Sequence, residues 1–308
     1  EMMLGFGANT HGQLGLGTMT DQLTPARIGR YKTIASGVSF SIATNENGTL
    51  YLSSKETSNV FEPIDEVKDE FFEKIVAGEH NWAAIDSEGI LWTCIQKNGV
   101  FNIPKRMTEL EDVRKVACGK DFTLIEAPAG VLKGWGSDEY LQLGGIGSTN
   151  VPSVIEIAEM EEGEFTDLAA GSSHSLVVDS SGSIFTGGLN SRCQLGDSHM
   201  VPQGKFTELP RYLPQIKQVA AGENYSIALD VKGKVWYWGC LKHVQTPKVE
   251  DRQLPRGLAN ISGRCAAIAA GRHHAAVLDE EGYKFWGTGT SGQLGQGESV
   301  QTVTTPVL

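Results

Sequence analysis

Six short segments, IASG, IVAG, VACG, LAAG, VAAG and IAAG, end at Gly37, Gly78, Gly119, Gly171, Gly222 and Gly271. A second glycine follows each of them 11 residues later, at Gly48, Gly89, Gly130, Gly182, Gly233 and Gly282. The spacing from one unit to the next is 41, 41, 52, 51 and 49 residues. A fixed internal offset repeated at such a period marks a chain of stacked supersecondary units, none able to bury its apolar face alone. Between the paired glycines runs an apolar stretch such as SFSIAT, HSLVVD or YSIALD, and after the second glycine another, such as TLYLS or KVWYWG. Their alternation predicts strands. Asn45, Asp86, Asp179, Asp230 and Asp279 stand three residues before the second glycine. There an Asx side chain bonds its own turn and glycine supplies positive φ. Only Ala127-Pro128, in the third unit, departs from that turn chemistry. Each unit then runs toward a glycine-rich corner, clearest in HGQLGLG (11–17), LQLGG (141–145), CQLG (193–196) and SGQLGQG (291–297).

Units of this length with three or four short strands and no helical periodicity predict an all-β fold, a β-propeller forming one domain over 1–308. There are seven third-strand starts, at Gly5-Phe6-Gly7, Tyr51, Trp92, Trp135, Gly187, Trp238 and Trp286, against six first strands. The count predicts seven blades, the seventh closed between N- and C-terminal segments. Its closing strands are missing after Pro306 and are expected from further chain or from a partner.

Lys and Arg number 26 against 37 Asp and Glu, a net charge of −11, which argues against binding nucleic acid or anionic membranes directly, since both need clustered cations. The five cysteines are scattered and form no C-x-x-C pair, so neither a disulfide framework nor a zinc site is expected. With no apolar run of about 20 residues and no basic-then-apolar start, the expected location is intracellular, cytoplasmic or nuclear.

The motif order A-A-G-x-x-H-S, D-x-x-G, W-G and G-Q-L-G resembles the repeat of the regulator of chromosome condensation family over nearly the whole chain. The corner is well kept in units 1, 4 and 7 and lost at 55–62, 95–103 and 240–246. The resemblance implies a propeller of RCC1-type repeats that binds a folded protein, as scaffold or regulatory subunit, with guanine-nucleotide exchange on a small GTPase as its specific form. The small, propeller-only members imply alternatives: a small zinc protein of tRNA-modification and diphthamide pathways, or a Jumonji-domain demethylase. The plant ultraviolet-B photoreceptor of this family carries tryptophan immediately after the repeated glycine. Here that place holds Val38, Glu79, Lys120, Ser172, Glu223 and Arg272, which disfavours light sensing.

The first and second residues after each A-x-G glycine vary and are mostly polar: Val38-Ser39, Glu79-His80, Lys120-Asp121, Ser172-Ser173, Glu223-Asn224 and Arg272-His273. They fall where the innermost strand turns at the channel mouth, and loops held by a rigid scaffold commonly bind partners. These twelve residues are the expected partner-binding set, weighed against a merely solvated rim, and their side chains are not expected to support blade packing. The basic stretch 240–264 is a second candidate, with a solvated loop as its plain reading. No nucleophile elbow or metal-spaced cluster appears, so no catalytic, cofactor or metal residue is expected. A hydrolase at the mouth, using His80, Asp121 or His273, is the remote alternative. His174 and His274 share a register position with Phe40, Asn81, Phe122 and Tyr225, a mixture expected of inter-blade packing. The propeller itself is expected to be monomeric.

Overall fold

The computed structural model describes residues 2–145, 147–159, 163–210, 212–240, 254–297 and 300–307. Six antiparallel sheets follow one another along the chain as blades 1 to 6, at 33–63, 72–106, 115–159, 165–208, 216–257 and 267–307. Each touches the next, and the only helix among the described residues is a single 3-10 turn at Asp65–Val67. Blade 4 shows the plan: Phe165–Ala170, His174–Asp179, Ile184–Gly188 and Gln203–Glu208 pair in chain order. The second strands Phe40–Thr44, Asn81–Asp86, Phe122–Glu126 and Tyr225–Asp230 are buried at every residue, because neighbouring blades cover both faces.

The core therefore lies between blades. Phe40, Ile42 and Leu50 of blade 1 meet Phe72, Trp82 and Trp92 of blade 2, and Leu176 and Ile184 of blade 4 meet Ile216 and Trp238 of blade 5. Each such side chain contributes about 1.5–3 kcal/mol by leaving water. The expected Asx turns are present: Asp86 Oδ1 accepts the Glu88 and Ile90 N–H groups, and Asp230 Oδ1 those of Lys232 and Lys234. In blade 3, Glu126 takes over this role, its Oε1 accepting the N–H groups of Gly130 and Phe165. The corners are also built alike. Gln13, Gln142 and Gln194 each accept the N–H two residues earlier, while Asn9, Asp138 and Asn190 accept that of the leucine five residues later.

The seventh blade departs from expectation. Met2–Gly7 and Gln22–Arg30 form a separate two-stranded sheet, with Met2 opposite Arg30 and Gly7 opposite Gln22. Val300–Val307 does not close against it but pairs with Gly282–Gly289 as the fourth strand of blade 6. All six A-x-G strands serve as first strands of the six blades, so none of them remains for closure among the described residues. The two-stranded sheet nonetheless bridges the ends of the row. Phe6 meets Phe285 edge-on at 5.2 Å and Gly297 N–H donates to Leu23 O at 2.9 Å on the blade 6 side. On the blade 1 side, Ser53 Oγ donates to Gly12 O at 2.6 Å.

Candidate interaction site

Four of the six A-x-G glycines, Gly37, Gly78, Gly171 and Gly222, bring the end of an innermost strand against the backbone of the next blade, while Gly119 and Gly271 lie against the rings of Phe122 and His274 in their own blades. A Cβ on Gly78 would stand 1.9 Å from Gly119 O, and one on Gly37 2.7 Å from Gly78 O. The residues that follow join the blades: Val38 N–H donates to Glu79 O, Glu79 to Gly119 O, His80 to Lys120 O, Ser172 to Gly222 O and Glu223 to Arg272 O, at 3.0–3.4 Å. All twelve expected rim residues lie in the turns where first strands pass into second strands, and seven of them, Val38, Glu79, His80, Lys120, Ser172, Glu223 and Arg272, take part in these bonds.

Their side chains fall into local sets. His80 Nδ1 and Asp121 Oδ1 are 2.9 Å apart and join blade 2 to blade 3. That hydrogen bond holds the imidazole above its ordinary pKa and the carboxyl below its own, as expected of an ion pair. Glu223 Oε2 lies 3.0 Å from His273 Nε2 and 3.3 Å from Arg272 Nε, joining blades 5 and 6. Ser172 Oγ bonds Glu79 Oε1, so a residue of blade 4 meets one of blade 2. Ser39 Oγ donates to Gln96 Oε1 at 3.0 Å, and Asn224 Oδ1 accepts from Gln194 Nε2 at 3.5 Å. Ser173 takes part through its carbonyl, which accepts Leu189 N–H at 2.8 Å. The expectation that rim side chains take no part in blade packing is thus corrected, since several of these contacts cross between blades. Gln13, Gln96 and Gln194 reach the rim without having been singled out. For Gln13 and Gln194 the signal is the glutamine repeated in the corner, whereas Gln96 sits where the corner is lost.

The hydrolytic alternative gains only one of its requirements. His80 and Asp121 are within reach of each other, but among the described residues no hydroxyl or thiol is hydrogen-bonded to His80. Two surface cavities, of about 390 and 560 Å³, lie at the Asx turns on the opposite face and include none of the twelve residues. His174 is buried and its Nε2 bonds Ser226 Oγ of blade 5, as the packing reading expects. The thiols of Cys94 and Cys118 are pushed up to about 12 by burial, which removes them as nucleophiles. Among the described residues no group of histidine, cysteine and carboxylate side chains is placed to hold a metal ion, and no helix is long and apolar enough to cross a membrane.

The second candidate surface, 240–264, lies partly outside the described residues, including Lys242, His243, Lys248 and Arg252. Arg264 is spent on the carbonyls of Lys232 and Val231. The mouth face instead carries exposed apolar side chains at its corners: Met19, Val100, Ile103, Tyr140, Met200 and Val201, with Ile103 77% exposed. Apolar groups around a polar, prearranged rim make a surface suited to a protein partner.

Residues 2–44 match the family model described as the Regulator of chromosome condensation (RCC1) repeat. Over 97% of its length the chain is 26% identical to the ultraviolet-B receptor UVR8 of Arabidopsis thaliana, covering 76% of that protein. Human WBSCR16 has the same fold, with a TM-score of 0.86 at 18% identity over 99% of this chain and 93% of that one. Prp20p from Saccharomyces cerevisiae, whose structure is described together with its binding to Gsp1p and histones, gives 0.83 at 19% identity, over 98% and 84%.

Proposed function

We propose, from the premise that the chain is a β-propeller of RCC1 repeats, that it is a non-catalytic regulator whose mouth face grips a folded protein partner. The observation that carries this reading is the rim itself: charged and polar residues held by inter-blade bonds, with exposed apolar corners around them. A prearranged rim costs little ordering on binding, and its charges act mainly on orientation and encounter rate. Of partner classes, a small GTPase is the first to test, because Prp20p is described as binding Gsp1p. An exchange factor needs no nucleophile. It needs only to bind the nucleotide-free state more tightly than the loaded one. The position after the repeated glycine carries no tryptophan in any of the six units, which supports a binding role over light sensing. The two-stranded sheet, wedged between blades 6 and 1, would be the outer half of a seventh blade.

The test is release of a fluorescent GDP analogue from Gsp1p-class GTPases, with partner capture by the full chain measured alongside. The variant reverses Glu79, Lys120, Asp121, Glu223 and Arg272 together. Exposed ion pairs contribute about 0–1 kcal/mol each, so this variant should stay folded with a modestly lower thermal midpoint while losing its partner. Partner capture without faster release would place the chain among adaptors. A folded variant that keeps its partner would move the site away from the rim.

A further inference from the structure

In blade 2 the glycine-rich corner is replaced by a tight hairpin. Leu91–Lys97 turns at Asn98 and Gly99, both with positive φ (52° and 87°), and returns with Val100 opposite Lys97 and Phe101 opposite Gln96. An Asn-Gly turn of this kind follows the twist of its strands and fixes their register. Successive side chains point to opposite faces, so Gln96 and Phe101 share one face and Ile95, Lys97 and Val100 the other. The first face is anchored: Phe101 meets Phe40 of blade 1 edge-on at 4.8 Å, and Gln96 holds Ser39 of the rim. The second face is open, with Ile95 43% and Val100 61% exposed, and Ile103, beyond the end of the strand, is 77% exposed. Among the described residues it is an uncovered apolar surface, joined to the rim through Gln96.

The hairpin segment differs in charge from the chain as a whole, with Glu56 of blade 1 lying against its turn at Gly99. Residues 95–106 contain Lys97, Lys105 and Arg106 and no carboxylate, in a chain of net charge −11. Lys105 and Arg106 are engaged by Glu109 and Glu88, at 3.5 and 2.6 Å, which leaves exposed Lys97 as the cation of the open face. We propose that this face docks an acidic protein segment bearing apolar side chains. The apolar groups would cover Ile95 and Val100 and extend toward the exposed Ile103, and a carboxylate would meet Lys97. Anchors of this kind carry most of the affinity, while the charge selects the partner. The proposal rests on the reading of the mouth face as the binding face and names the chemistry it selects.

The test titrates the full chain into a fluorescein-labelled 12-residue peptide alternating Asp or Glu with Leu or Phe, followed by anisotropy, beside a counterpart with Lys at every acidic position. The acidic peptide should bind at least about tenfold more tightly than the basic one. Val100→Ser with Ile103→Ser should weaken it about tenfold, and Lys97→Glu should reduce or reverse the preference. These side chains are exposed, so unchanged thermal midpoints will show that the variants are folded. Equal binding of both peptides, binding untouched by the double substitution, or capture only by phosphatidylserine vesicles would each overturn the proposal. Reversal of Glu223 and Arg272 separates the two readings: peptide binding lost there but kept in the hairpin variants would leave the mouth face standing and sink the hairpin.

Discussion

His174 occupies the third position after the A-x-G glycine, between blades 4 and 5, where burial pushes its imidazole down to about 3. His274 stands at the same position in blade 6, lowered to about 4 by burial and by the neighbouring His273. For a histidine held neutral in the fold, the unfolded chain binds the extra proton. The stability is therefore complete above the ordinary value of about 6.5 and is lost as pH falls from there toward the folded value. One such group costs about 1 kcal/mol between pH 7 and pH 5.5. His174→Phe should remove that share of the pH dependence, read from urea midpoints at the two pH values. The phenylalanine should fit, because Phe40 and Phe122 already fill this position in blades 1 and 3. An unchanged pH dependence would mean that His174 is protonated in the fold. His80 has the opposite sign: its raised value gives stability present below about 6.5 and lost as pH rises through the folded value, though exposure keeps it small.

Within each blade the two repeated glycines answer to different causes. At Gly78 the limit is space, since a methyl group would meet Gly119 O at 1.9 Å; at Gly89 it is conformation, with φ at +78° and nothing within 4 Å of the added carbon. Gly89→Ala should therefore cost about 1–2 kcal/mol, the price of a left-handed residue. Gly78→Ala must push two blades apart and should cost about 3 kcal/mol or more. Chemical denaturation of the two variants checks the order, and equal costs would refute it. This difference also explains what was legible beforehand. Both glycines announce themselves by period, and the positive φ of the second follows from its Asx partner. The reason for the first lies in the adjacent blade, about 40 residues away in sequence. The rim residues were likewise legible as positions, because the strand period places the turn after each A-x-G. Their pairing was not: His80 with Asp121 and Ser172 with Glu79 depend on how far blades lean toward the axis, which no single unit encodes. The hairpin at 95–103 was visible only as a corner that had been lost.

Across the whole molecule, protection from solvent should fall off at the seventh position. In blade 5 Tyr225, Ile227 and Leu229 are fully buried, and in blade 4 so are His174, Leu176 and Val178. The matching residues of blade 6, His274, Ala276 and Leu278, are only partly covered, and Ala269 on its first strand is exposed. The belt of inter-blade bonds reaches Arg272 of blade 6 through Glu223, and among the described residues the sheet beyond it supplies only Met2–Gly7 and Gln22–Arg30, on the outer side. Strands covered on one face open locally at lower free energy than strands covered on both. In the 308-residue chain, amides of His274–Asp279 and of Met2–Gly7 should therefore exchange at least about tenfold faster than those of Tyr225–Asp230, because each 1.4 kcal/mol of opening energy is a factor of ten. Hydrogen exchange followed by mass spectrometry resolves these peptides. Equal protection across blades 4, 5 and 6 would show that the seventh position is already filled, for instance by a second copy. Exchange that slows only when a partner is added would instead place that partner in the open position.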